Sequence, residues 1–143
     1  MKPEDIGNER DLANYRLEEA KELLVVAKEN FAAGHYKSAN NRAYYAVFHA
    51  INAVFALERV AFKRHKDALG HFNKEYVRTE KFSKELGKRI GKVQDVRHAS
   101  DYDDFYIASK METGEQIATA EELIDQVETF IQSHNGAARE PMG

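Results

Sequence analysis

From Leu12 to Phe31 the apolar residues Leu12, Tyr15, Ala20, Leu23, Leu24, Ala27 and Phe31 recur at helical spacing. Gly34 follows as a stop, because glycine accepts the left-handed backbone that often closes a helix. A first helix is therefore expected over residues 9–33. A second begins near Tyr36–Ser38 and runs to about Leu57. A third, over 65–77, places Ala68, Leu69, Phe72 and Tyr76 on one face. After a break around Thr79, a fourth turns Phe82, Leu86, Ile90, Val93 and Val96 inward. The stretch "SDYDDFYIAS" is expected to be irregular, since closely spaced Asp compete for backbone hydrogen bonds. The last helix starts at a capping pair, Ser109 with Glu112 or Thr113 with Gln116, and ends at "SHNG". Strand-type alternation is absent, and the two prolines, Pro3 and Pro141, lie at the ends of the chain. Short connections favour antiparallel neighbours. The expected fold is all-α, an antiparallel helical bundle of four to five helices. One domain spans residues 1–136, with a disordered tail over 137–143.

The second helix departs from ordinary amphipathic patterning. Its polar residues Ser38, Arg42, Tyr45, His49 and Asn52 fall on one narrow line, at i, i+4, i+7, i+11 and i+14. Almost everything else on it is Ala, Val, Ile or aromatic. A helix with so little solvent face belongs at the centre of the bundle. The polar line must then meet partners, because burying an unpaired polar group is costly. One arrangement pairs Arg42 with an acid such as Asp101 or Asp103 inside the fold. Arg42 and His49 are two turns apart, about 10 Å along the axis. Their joint use needs a second helix, a second subunit or a long ligand.

Charge sharpens this picture. The net charge is −3, yet residues 59–98 carry about +7 and the remainder about −10, counting Lys and Arg against Asp and Glu. Lys81, Lys84, Lys88 and Lys92 form a basic stripe on the outer face of the fourth helix. Such a segment either attracts a polyanion or is simply a solvated face. With no Cys, disulfides and thiolate metal sites are excluded. No apolar run reaches the roughly 18–20 residues of a membrane span. A cytoplasmic protein without a membrane association is expected. A di-metal carboxylate bundle would need Glu-x-x-His on two helices, and none occurs. The remaining His35, His65, His71 and His134 form no ligand spacing, and no glycine-rich phosphate loop is present. Neither a metal nor a cofactor is expected.

"KSANNRAYYAVFHAINAVF", followed some way on by "RHASDYDDFY", resembles the HEPN domain superfamily, and most closely its short stand-alone prokaryotic members. The resemblance covers about residues 10–134. It implies a four- or five-helix bundle, commonly a homodimer. It also implies a toxin-like role beside a minimal nucleotidyltransferase acting as antitoxin. Many members are metal-independent endoribonucleases with an Arg-x4–6-His motif, in which Arg holds the scissile phosphate and His moves a proton. Arg97 followed by His98 matches the start of that motif. The His due at 102–104 is replaced by Tyr102, Asp103 and Asp104. Arg42-x6-His49 has the spacing, but on the second helix. The resemblance therefore points to Arg97 or Arg42 for phosphate and to His49 or His98 for proton transfer. Tyr45, Asp101, Tyr102, Lys84, Lys88 and Lys92 are the candidates for contacting RNA or a nucleotide. Tyrosines near the site are also candidate acceptors of a nucleotide added by the partner enzyme. The alternative reading is a non-catalytic dimeric adaptor that binds a protein partner. The two separate on whether Arg42, His49 and Arg97 line an open cleft or are paired within one subunit.

Overall fold

The computed structural model describes residues 8–139. The five helices are α1 (Glu9–Ala32), α2 (Tyr36–Glu58), α3 (His65–Phe72), α4 (Lys84–Tyr102) and α5 (Lys110–Arg139), with no strand among the described residues. α1 starts at a reciprocal cap: Asn8 accepts from the Asp11 N–H at 3.0 Å while Asp11 accepts from the Asn8 N–H. Gly34 ends the segment with φ of 83°, as its position after the apolar pattern predicts. The neighbouring His35 N–H returns to the Asn30 carbonyl at 2.8 Å.

The buried line of α1 is Ala13, Leu17, Ala20, Leu24 and Ala27. Leu12 and Tyr15, which periodicity assigned inward, are 43% and 62% exposed. The reason is volume. Three of the buried positions are Ala, which lets α1 lie close against α2 and leaves the larger Leu12 and Tyr15 on the flank. α2 packs against all four other helices and buries Ala43, Ala46, Ala50, Ile51, Ala53, Val54 and Phe55 among others. It is the central helix its composition implied.

α3 continues into a π-helical turn, Asn73–Val77, so the expected element over 65–77 is one segment with two geometries. The wider turn brings Val77 inward next to Tyr76; both are buried. Val77 then lies on Gly87 of α4, where a built Cβ would stand 2.6 Å from Val77 Cγ1. Phe82 is buried but precedes α4, which is capped by Ser83 Oγ accepting from the Leu86 N–H at 3.1 Å. Rings of Phe55, Phe72, Tyr76, Phe82 and Phe130 fill this end of the bundle.

α4 runs through Tyr102, so Ser100, Asp101 and Tyr102 are helical rather than irregular. Ser100 is buried, and Asp101 pairs with Arg97 one turn back; both support the helix. The expected Asp-driven turn does form two residues later. Asp103 Oδ1 accepts from the Phe105 N–H at 3.0 Å, and its carbonyl accepts from the Tyr106 N–H. Of the two capping candidates for the last helix, Ser109 is used, accepting from the Glu112 N–H at 3.0 Å. α5 does not stop at "SHNG" but continues to Arg139. Of the expected tail, residues 140–143 lie outside the described residues. Lys21–Glu128 and Lys28–Glu121 pairs, at 2.8 and 2.7 Å, fix α1 antiparallel to α5.

Candidate functional site

The polar line of α2 meets α4 at Arg97. The guanidinium sits 4.7 Å above the Tyr44 ring and 5.4 Å from the Tyr45 ring, within cation–π range of both. Its Nη2 donates to the Tyr45 hydroxyl at 3.0 Å. Nε lies 3.3 Å from the Asp101 carboxylate but is without an aligned hydrogen bond, so that contact is an ion pair of charge rather than a directed bond. Arg97 is about one-quarter exposed, at 28% of its side chain. α2 supplies the rings because Tyr44 and Tyr45 are adjacent: one turns into the core and the other toward the surface, 83° apart in ring plane.

Tyr44 carries the arrangement further. It is buried, and its hydroxyl is 2.6 Å from Nδ1 of His65, the first residue of α3. The His65 ring also packs on Phe48, centroids 3.6 Å apart, and lies 6.0 Å from the Tyr45 ring. Burial raises the Tyr44 pKa above the usual phenol value, with Tyr45 and Asp101 adding to the rise and Arg97 opposing it. Burial likewise lowers the His65 pKa, helped by the charge of Arg97 and by the neighbouring His49. Both shifts favour the uncharged forms, a phenol beside a neutral imidazole.

The sequence-selected residues divide between places. Arg97, Tyr45 and Asp101 come together. Arg42 is exposed and has no ion pair or hydrogen bond among the described residues; of the acids expected to pair with it, Asp101 pairs with Arg97 and Asp103 accepts from the Phe105 N–H. His49 turns toward α1, where Nδ1 is 3.6 Å from Glu19, beside a groove of about 300 Å3 lined also by Glu22, Leu23 and Val26. His98 is exposed and its ring lies 4.7 Å from that of Tyr102, itself 76% exposed; neither joins Arg97. Lys84, Lys88 and Lys92 are exposed. Lys88 and Lys92 line a groove of about 520 Å3 together with Asp95 and Glu112, so the basic stripe borders acids. There Tyr106 donates to Glu112, and burial together with that bond pushes its pKa up to about 12. Sequence reasoning passed over Tyr44, Phe48 and His65. Tyr44 sat in the family-like motif, but His65 carried no local signal, because only the chain reversal after α2 brings it to Tyr44.

Chemically, the centre offers a forked cation held between two rings, two hydroxyls and a neutral imidazole. Among the described residues no helix is long and apolar enough to cross a membrane, and no cluster of His, Asp and Glu is placed to hold a metal ion. Comparison with known families decides the grouping: the HEPN domain family matches residues 13–130. The chain belongs to the HEPN domain family. Its all-helical bundle agrees with that membership. A UPF0332 protein of Thermotoga maritima is 32% identical over 126 residues, covering 87% of this chain and 96% of the relative. "Putative toxin MJ0605" of Methanocaldococcus jannaschii is 28% identical over 130 residues, covering 86% and 91%. "Putative toxin MJ0142" of the same organism is 28% identical over 87 residues, covering 61% of this chain and 59% of the relative. Along nearly its whole length this HEPN chain is thus similar to a UPF0332 protein and to "Putative toxin MJ0605".

Proposed function

We propose that this HEPN protein is a toxin-like module that contacts RNA or a nucleotide at the Arg97 centre. It would act in the cytoplasm as a homodimer countered by a nucleotidyltransferase antitoxin. The observation that carries the reading is Arg97: a guanidinium braced by Tyr44, Tyr45 and Asp101 yet still open to solvent. Preorganised cations of this kind recognise phosphate well. In the enzymatic form of the reading, the protein is a metal-independent endoribonuclease and Arg97 stabilises charge on the scissile phosphate. The test is incubation of the purified protein with assorted RNAs under chelation, beside Arg97→Ala. Cleavage by the wild type and its loss in the variant supports the reading; cleavage that persists in Arg97→Ala rejects the assignment.

The non-catalytic adaptor keeps support from one observation. Arg97 and His49 are each paired within the subunit, with Asp101 and Glu19, and Arg42 joins neither pair. Absence of RNA cleavage together with absence of growth inhibition on expression selects the adaptor.

A further inference from the structure

Two nitrogens at the Arg97 centre have no acceptor among the described residues. Arg97 uses Nη2 for Tyr45 and offers Nε to Asp101, while Nη1 has no hydrogen-bond partner among the described residues and the side chain is 28% exposed. His65 uses Nδ1 for Tyr44, and its Nε2 has no hydrogen-bond partner among the described residues; the residue is half-buried.

The tautomer of His65 follows from counting protons. The Tyr44 hydroxyl is buried and has one partner. If His65 donated from Nδ1, the Tyr44 proton would be left with no acceptor in a buried place, which costs free energy. If Tyr44 donates to Nδ1, both groups are satisfied, and the imidazole proton sits on Nε2. The raised Tyr44 pKa and lowered His65 pKa agree with this assignment. Nε2–H is therefore a donor without a partner among the described residues. Tyr45 adds a third: its oxygen accepts from Arg97, which leaves its own proton free to donate. The groups come from three helices and share two rings. Arg97 and His65 both lie beside Tyr44, at 4.7 and 5.6 Å from its centroid. The charged and titratable groups acting on Tyr44 and His65 are Arg97, His49, Tyr45 and one acid among the described residues, Asp101, which engages Arg97 at Nε.

We propose that His65 Nε2–H, Arg97 Nη1 and the Tyr45 hydroxyl form a phosphate subsite, with Tyr44 as the positioning residue that fixes the imidazole tautomer. The subsite rests on the phosphate-contacting reading above and adds to it a histidine from outside the late-helix motif. Donors from three helices grouped around the Tyr44 and Tyr45 rings suit a phosphate group, whether the monoester of a free nucleotide or the diester of an RNA strand.

The experiment is long-range 1H–15N NMR of the histidine rings of the full chain, titrated separately with 5′-AMP and with a short single-stranded oligoadenylate. In the free protein His65 should read as the Nε2–H tautomer, and its Nε2 resonance should shift with saturation. A shift with both probes assigns the phosphate group itself, and a shift with the oligonucleotide alone assigns the diester strand. His65→Gln should weaken binding about tenfold, the size of one hydrogen bond to a charged group. Tyr44→Phe, which keeps the ring, should turn His65 into a mixture of tautomers. An Nδ1–H tautomer in the free protein, or an unmoved His65 resonance with both probes, overturns the subsite. RNA cleavage with an unmoved His65 rejects the subsite alone, and a saturating His65 shift without cleavage supports the subsite while rejecting the ribonuclease.

Discussion

Two glycines one turn apart in α4 should respond to alanine with opposite signs. Gly91 is exposed in the middle of the helix, and nothing lies within 4 Å of a Cβ built there. Gly91→Ala should stabilise the protein by about 0.5–1 kcal/mol, because glycine in a helix interior loses more backbone freedom than alanine. Gly87 has the same propensity term, but its Cβ would meet Val77 Cγ1 at 2.6 Å, Cγ2 at 3.0 Å and Cβ at 3.3 Å. Rotating a β-branched side chain cannot clear all three atoms. Overpacking of this kind costs about 1–3 kcal/mol, so Gly87→Ala should be destabilising by about 0–2 kcal/mol after the propensity gain of about 1 kcal/mol. Urea unfolding followed by helical circular dichroism reads both. Val77→Ala in the Gly87→Ala background should recover part of the loss, as contacting residues couple. If Gly87→Ala stabilised as much as Gly91→Ala, Val77 would not rest on α4, and the π-helical turn would not be where it is described.

Phe55→Ala should cost about 3–5 kcal/mol in the same assay, because Phe55 is wholly buried against Phe62, Phe72 and Tyr76; a loss under 1 kcal/mol would place it outside the core. Tyr106 has a pKa raised from 10.0 to about 12, so its contribution to stability is complete below pH 10 and falls as pH rises toward 12. Tyr106→Phe should flatten that alkaline decline in the urea midpoint, and an unchanged slope would refute the bond to Glu112. His65 has a lowered pKa, so its contribution is present above the ordinary 6.5 and falls as the solution is acidified. His65→Gln should show a shallower loss of stability below pH 6.5 than the wild type. Arg97→Lys should keep the charge but weaken RNA or nucleotide binding, since an ammonium cannot stack on Tyr44 and donate to Tyr45 together; wild-type affinity in an electrophoretic shift would refute the role of the fork.

The helix periods were legible because each helix has an apolar side whose spacing survives in the chain. Gly34 marks its turn, and of the candidates Arg97, Asp101, Tyr102, Arg42, Tyr45 and His49 only Arg97, Tyr45 and Asp101 meet among the described residues. The inner face of α1 was misjudged at Leu12 and Tyr15, because hydrophobicity outranks alanine in a pattern while close helix packing prefers alanine. The end of α4 was placed early, because the Asp-rich stretch competes locally for the backbone while the Arg97–Asp101 pair holds the helix through it. His65 was passed over because its role depends on Tyr44, a residue 21 positions away whose approach is set by the turn after α2. His49 and His98 carried the more familiar spacing, and each has its own neighbour in Glu19 and Tyr102.

The alanines along α2 invert the usual rule of mutational sensitivity. In most cores the damaging change is loss of bulk. Here Ala39, Ala43, Ala46, Ala50 and Ala53 are fully enclosed, so there is little bulk to lose and no room to add any. A saturation library over these positions should return Gly and Ser more often than Val or Leu. The helix would tolerate a small hydroxyl better than an extra methylene, so selection on this surface would act on size before it acted on polarity.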